Sequence, residues 1–149
     1  MIVVYAESSA VLAWLLGEAK QQVVITELAA ADRVVASTLT IVECSRALAR
    51  ARSTGRLRDA EELAALHLLD QAALSWSVLD VSDRVAERAR GAFPREPVRT
   101  LDALHLATAA VFLEALGSLR VLSLDDRVRL NASAMGMSLA PAAGAGTAG

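Results

Sequence analysis

Lysine is almost missing from this chain: Lys20 is the only one, so nearly all basic charge is carried by arginine. A receiver domain that takes a phosphoryl group on a carboxylate needs a lysine late in the chain, and Lys20 lies too early to serve. One cysteine, Cys44, excludes an internal disulfide and any cysteine-based zinc site. No glycine-rich P-loop or dinucleotide turn occurs, so nothing supports a nucleotide-dependent enzyme. Aromatic residues are only 3% of the chain, leaving few platforms on which to stack a base, so the sequence a nucleic-acid substrate would carry is not legible. Uninterrupted apolar runs are also short. The stretch from Leu101 carries Asp102, His105 and Glu114, and the apolar start contains Glu7 without a basic leader. Neither a transmembrane span nor a signal peptide is expected, which makes a cytoplasmic protein the default.

What is abundant is Ala, Leu and Val, in a chain of 149 residues that is 54% hydrophobic. The size fits one domain, and such a composition favours helices covering both faces of a buried sheet. We find no internal repeat and no interdomain linker. The expected organisation is a folded domain over residues 1–140 and a flexible Ala/Gly-rich tail over 141–149 that cannot bury an apolar face.

Short β-branched runs are expected to form strands at Ile2–Tyr5, Val34–Ser37, Ser77–Leu79 and Arg120–Ser123, with a short edge strand at Ser138–Ala140. Helices are expected over Ala10–Leu16, from a Thr38 or Thr40 cap to about Ser53, over Arg58–Leu74, over Asp83–Ala92 after a Ser82 cap, over Leu101–Leu116 after a Thr100 cap, and from Asp125-Asp126 to near Gly136. The third of these presents apolar residues at Leu63, Leu66, Leu69 and Leu74.

Four acidic residues, Glu7, Glu43, Asp102 and Asp125, then fall where successive strands should end, each just before or inside the first turn of a helix. Strand ends of a parallel α/β sheet open onto one crevice. Carboxylates gathered there repel one another unless a cation neutralises them, and all-oxygen ligation suits Mg²⁺ or Mn²⁺. The acids predict a metal, and the metal predicts phosphate chemistry. Singly, each acid also reads as a residue that favours a helix start through the macrodipole.

The chain resembles the PIN-domain ribonucleases, in particular the VapC-type toxins of type II toxin–antitoxin pairs. The resemblance spans about residues 1 to 140 and rests on Tyr5-Ala6-Glu7-Ser8-Ser9-Ala10-Val11-Leu12, Ser37-Thr38-Leu39-Thr40-Ile41-Val42-Glu43, Arg99-Thr100-Leu101-Asp102-Ala103-Leu104-His105-Leu106-Ala107-Thr108-Ala109 and Val121-Leu122-Ser123-Leu124-Asp125. It implies a three-layer α/β sandwich with a mostly parallel central sheet. It also implies an endoribonuclease that uses Mg²⁺ (or Mn²⁺), a homodimer, and a cognate antitoxin. The family's acidic positions carry over onto Glu43, Asp102 and Asp125, and a hydroxyl position onto Ser123. Glu7 departs from the aspartate usual there, and its extra methylene is expected to push the carboxylate further into the crevice. The alternative is a weakened PIN-fold protein that binds RNA or antitoxin without efficient cleavage.

Around the acids, Ser9 is an auxiliary candidate that also reads as an N-cap, and Asp126 competes with Asp125 for the crevice. His105 lies one turn from Asp102, within an apolar run, and reads as a satisfied core histidine rather than a base. Cys44 reads as packing. Net charge is −2, so phosphate contact depends on local arginines, whose planar fork suits it. Arg46 and Arg99 are the candidates, although Arg46 also stands at helical spacing to pair with Glu43.

Overall fold

A computed structural model of the chain describes residues 1–142 and shows twelve elements: β1 (Val3–Ala6), α1 (Ser8–Leu15), α2 (Gln21–Ala30), β2 (Arg33–Ser37), α3 (Thr38–Ser53), α4 (Asp59–Ser75), β3 (Ser77–Leu79), α5 (Asp83–Ala89), α6 (Thr100–Leu116), β4 (Arg120–Leu122), α7 (Asp126–Ala134) and β5 (Ser138–Ala140). The five strands form one sheet in the order β3-β2-β1-β4-β5, and every pairing is parallel. The two edge strands are three residues long, whereas β1 is paired on both sides and buried throughout.

Alternation along β1 assigns the layers, since successive strand side chains point to opposite faces. Val3 and Tyr5 join Val35 and Val121 against Leu106, Ala109 and Ala110 of α6 and Val128 and Ala132 of α7. Val4 packs with Ala10 and Val24, and Ala6 with Val11, Cys44 and Leu69. Helices α1–α4 therefore cover one face and α5–α7 the other, the expected three layers. Among the described residues no helix is long and apolar enough to cross a membrane.

The differences from expectation lie at helix starts and in one helix that the sequence hides. Helix α2 went unread because Val23-Val24-Ile25-Thr26 is a β-branched run and Lys20 supplies no side-chain cap. Ser37, not Thr38 or Thr40, caps α3 through its hydroxyl. Arg99 occupies the N-cap position of α6 and makes no side-chain cap bond, so Thr100 is already helical. Helix α5 stops at Ala89, short of Ala92. On α4, Leu69 is buried while Leu63 and Leu74 face outward. Ser82 does cap α5, and Gly117 closes α6 with φ near 82°, a conformation that favours glycine. The proposed tail from 141 lies, from residue 143 on, outside the described residues.

In the sheet order, chain connections run one way from β1 to β2 and β3 and the other way to β4 and β5, so the direction reverses between β1 and β4. In open parallel sheets that switch point, at the strand C-termini, is where ligands bind. Glu7 follows β1 and Ser123 follows β4, and Glu7 N donates to Leu122 O at 3.1 Å across the seam.

Candidate active site

Glu7, Glu43, Asp102 and Asp125 line one crevice of about 440 Å³, together with Ser8, Ser9, Leu12, Arg99, Thr100 and Leu101. Two of the acids sit as expected, Glu7 after β1 and Asp125 after β4, whereas Glu43 lies in the second turn of α3 and not the first, because Ser37 caps that helix earlier than Thr40 would. Asp102 does not follow a strand. It lies in the first turn of α6, which is preceded by α5 and the loop 90–99, and reaches the crevice from a helix start. Asp126 is exposed and faces another depression with Arg129 and Ser133, so Asp125 is the crevice residue and Asp126 drops out as an auxiliary.

Glu7 itself is the N-cap of α1. Its Oε2 accepts from Ser9 N at 3.1 Å, from the Ser9 hydroxyl, and from Ser123 Oγ at 2.8 Å. The expected projection into the crevice is thus wrong: the added methylene is taken up by curling the carboxylate back onto its own helix start and across to β4. Ser9 Oγ accepts from Leu124 N at 2.9 Å and Ser123 Oγ from Asp125 N at 3.1 Å. Both serines are therefore second anchors for Glu7 rather than a simple cap. Burial pushes the Glu7 carboxyl above its usual range, against the pull of these donors.

Glu43 is held from the other side. Its Oε1 receives His105 Nε2 at 2.5 Å and the Ser8 hydroxyl at 3.1 Å, while His105 Nδ1 meets the Tyr5 hydroxyl at 2.8 Å. Tyr5, fully buried and near the Glu7 and Glu43 charges, is pushed well above the usual phenol value. It keeps its proton and donates to Nδ1, which leaves the imidazole hydrogen on Nε2, facing Glu43. Burial raises Glu43, but the hydrogen bond to His105, the electrostatic pull of its ring, and then the hydrogen bond from Ser8 outweigh it and hold the carboxyl below its ordinary value. With Oε1 engaged, Oε2 is the oxygen left for the crevice. His105 is 1% exposed, so the reading as a buried, satisfied histidine holds, and its partner is a site carboxylate. No ion pair joins Arg46 to Glu43 among the described residues, and Arg46 is exposed outside the crevice.

Tyr5→Phe removes the proton that orients this chain while keeping the ring packed. A buried imidazole nitrogen left without its donor costs about 1–3 kcal/mol. We expect that loss in urea denaturation, with reduced RNA cleavage as Glu43 loses its fixed rotamer; unchanged stability and activity would mean that His105 is oriented by packing alone.

Asp102 is the least satisfied member. Its Oδ2 is buried without a hydrogen-bond partner; Arg99 Nε stands 3.5 Å away as an ion pair outside hydrogen-bond geometry. Burial and the Asp125 charge raise the Asp102 carboxyl above its ordinary value, and Arg99 pulls it down. Asp125 Oδ1 caps α7 by accepting from Arg127 N at 2.9 Å and Val128 N at 3.3 Å, leaving Oδ2 free. Arg99 lines the crevice as expected, with most of its side chain in solvent. Cys44, fully buried and pushed up to about 12 chiefly by burial, is inert packing.

Raised acids make a signed prediction for the ion-free protein. The folded chain keeps protons on Glu7 and Asp102 that the unfolded chain releases above their ordinary values of 4.5 and 3.8. Their stabilisation is therefore complete below those values and is lost as pH rises through the folded ones. Glu43 works oppositely, contributing above 4.5 and losing its contribution only as pH falls through its depressed value. In chelator, Tm should fall as pH rises above 4.5 and through the raised Glu7 and Asp102 values, and Glu7→Gln should flatten that fall. A Tm that climbs equally in both proteins would contradict the burial of Glu7.

Ser8 and Tyr5 escaped sequence reasoning. Tyr5, two residues before Glu7 on a strand, was the available signal, because its burial beside a histidine demands a partner for the hydroxyl.

The PIN domain family model matches residues 4–134. Ribonuclease VapC46 of Mycobacterium tuberculosis (strain ATCC 25618 / H37Rv) is 34% identical over 139 residues, covering 93% of this chain and 97% of that protein. Among solved structures, the Mycobacterium tuberculosis toxin VapC20, described as cleaving the sarcin–ricin loop, superposes with a TM-score of 0.63 at 18% identity, over 89% of this chain and 95% of its own. FitAB bound to an IR36 DNA fragment gives 0.60 at 16% identity, over 91% and 92%. At such identities these two structures speak for the fold alone.

Proposed function

Because the chain belongs to the PIN-domain family, we infer that it is the toxin of a toxin–antitoxin pair, an endoribonuclease that hydrolyses RNA phosphodiester bonds with the help of a divalent cation. The observation that carries the reading is the crevice at the β1/β4 switch point, lined by four carboxylates. Its members are held in distinct ways.

The donor chemistry fits a hard cation. All four groups are oxygen donors, and Asp102 Oδ2 is a buried acceptor with nothing to accept from. Among the described residues no three His, Cys, Asp or Glu side chains already close into a metal-holding group. The physical reason lies in the hydrogen bonds: Glu7 is engaged by Ser9 and Ser123, and Glu43 by His105 and Ser8. Asp102 and Asp125 would hold Mg²⁺ or Mn²⁺ directly, Glu7 would contribute its remaining oxygen, and Glu43 would act through water. When bound, the ion supplies Lewis acidity to the phosphate and acidifies water.

The chain's own groups do the rest. Glu43, kept ionised by His105 and Ser8, presents Oε2 to the water that attacks and accepts its proton. Arg99, exposed at the crevice wall, pairs with a non-bridging phosphate oxygen. Asp125 is fixed by its cap bonds to α7, so its free oxygen has one direction in which to act. Glu7, bound to both β1 and β4 through Ser123, ties the two halves of the crevice together. Arg46 plays no part in this arrangement.

One observation favours the weakened alternative: the Glu7 carboxylate spends Oε2 on three donors. Purified protein on total RNA, with and without chelator, separates the readings. We expect cleavage that needs Mg²⁺ or Mn²⁺. RNA binding without cleavage in Mn²⁺ would establish the weakened protein, and cleavage persisting in chelator would replace the cation by acid–base chemistry. Glu7→Asp keeps the cap to Ser9 N but no longer spans to Ser123, so it should cleave more slowly. Faster cleavage would show that the native glutamate is the impairment.

A homodimer and a cognate antitoxin complete the proposal. Light scattering on the purified toxin reads the dimer directly.

A further inference from the structure

Most of the arginines are already employed. Arg52, Arg58, Arg84, Arg88, Arg90, Arg99 and Arg120 form ion pairs, and Arg33 and Arg129 donate to side-chain or backbone oxygens. Among the described residues Arg46, Arg50, Arg56, Arg95 and Arg127 have no such partner, and of these Arg95 and Arg127 stand together. Both are exposed, neither guanidinium has a hydrogen-bond or ion-pair partner among the described residues, and both line a single cleft of about 230 Å³ with Glu96, Pro97, Leu130 and Asn131.

The walls of this cleft are built, not loose. Asn131, 1% exposed, accepts from Arg95 N at 2.9 Å and donates to Arg95 O and Arg127 O, both at 3.1 Å. One buried amide thus fastens the backbones of both arginines. Glu96, the only acid in the cleft, turns its oxygens into its own loop, with Oε2 on Phe93 N at 3.0 Å and Oε1 on Val98 N at 2.8 Å. Loop 93–98 is braced from within, and two unpaired cations face one carboxylate already occupied. The remaining lining is apolar: Pro97, and Leu130 at 59% exposure.

Its position adjoins the site. Arg127 N is bonded to the Asp125 carboxylate at 2.9 Å, and Arg95 lies in the same loop as Arg99 of the crevice wall. Two residues of chain reach at most about 7 Å, comparable to the step between neighbouring phosphates on an extended strand.

We propose that the cleft between Arg95 and Arg127 is a second nucleotide subsite, which grips the RNA phosphate next to the scissile one and seats its unstacked base or sugar on Pro97 and Leu130. The proposal rests on the ribonuclease reading. Arginine forks on a phosphate flanking an apolar floor match single-stranded RNA, whose bases are free to splay. Since the chain as a whole carries net charge −2, affinity must come from such local pairs of cations.

The test is fluorescence anisotropy with an end-labelled single-stranded RNA oligonucleotide across a salt series. The Asp102→Asn protein serves as the uncleaving parent, and Arg95→Gln/Arg127→Gln and Leu130→Asp are made in that background. The double variant should bind about tenfold or more weakly, and its salt slope should shrink by about 0.7, the release expected from one single-strand phosphate contact. Leu130→Asp should weaken binding with Tm retained, since the residue is exposed. In the wild-type background the double variant should raise KM far more than it lowers kcat. Unchanged affinity and slope with a binding parent would overturn the subsite and leave the ribonuclease reading standing. A parent that binds no RNA would overturn both.

Discussion

Asp102→Asn is expected to abolish RNA cleavage, by at least about a hundredfold, while making the ion-free protein more stable. The first effect follows from Asp102 Oδ2, a buried crevice oxygen without a hydrogen-bond partner among the described residues. An amide nitrogen in its place cannot ligate a hard cation. The second follows from the raised carboxyl: burial and the Asp125 charge disfavour its ionised form, and a neutral isostere removes both penalties. The ion-free variant should therefore melt above the ion-free wild type. In wild type, Mg²⁺ or Mn²⁺ at a hundred times its Kd should add about 2.7 kcal/mol, or about 5–10 °C; in Asp102→Asn that increment should vanish. Differential scanning fluorimetry with and without the ion reads all three quantities. An equal increment in both proteins would remove Asp102 from the site.

Glu43→Gln should cost about 10²–10⁴ in kcat, the range for losing a positioned general base, with a nearly intact fold. The amide still accepts from His105 Nε2 and Ser8 through its oxygen, so the buried imidazole keeps its partners. Glu43→Ala is harsher, because it leaves the Nε2 hydrogen of a residue only 1% exposed with Ser8 alone to bond and should also destabilise by about 1–3 kcal/mol. The two variants together separate chemistry from support. If Glu43→Gln retains wild-type kcat while Glu43→Ala unfolds early, Glu43 is a structural acid and the attacking water is governed elsewhere.

The strands were legible because each is a short β-branched run, and the acids because each is tied to such a run or to a helix start. Long-range relations were not. His105 and Glu43 stand 62 positions apart, so the sequence displays a histidine in an apolar run and an acid on a helix without showing that they bond. The same blindness left Arg46, a phosphate-contact candidate, with pairing to Glu43 at helical spacing as its other reading, where the structure gives that carboxylate to His105. Glu7 was misjudged for a different reason. Length of a side chain says how far a carboxylate reaches but not where its hydrogen bonds turn it, and Ser9 and Ser123 turn it inward. Helix α2 was hidden by local composition, since a β-branched run without a side-chain cap becomes helical only through packing such as that of Val24 against Val4 and Ala10. Asp125 and Asp126 could be told apart only once β4 fixed where α7 begins.

The central claim is that Glu7, Glu43, Asp102 and Asp125 frame one cation site. Titration of Mn²⁺ into the purified protein, read by the loss of the free-ion electron paramagnetic resonance signal, tests it without reference to RNA. The account predicts saturable binding in wild type and in Asp126→Asn, and binding weakened by about tenfold or more in Asp102→Asn and in Asp125→Asn. Equal binding in all four proteins, or loss in Asp126→Asn alone, would contradict it.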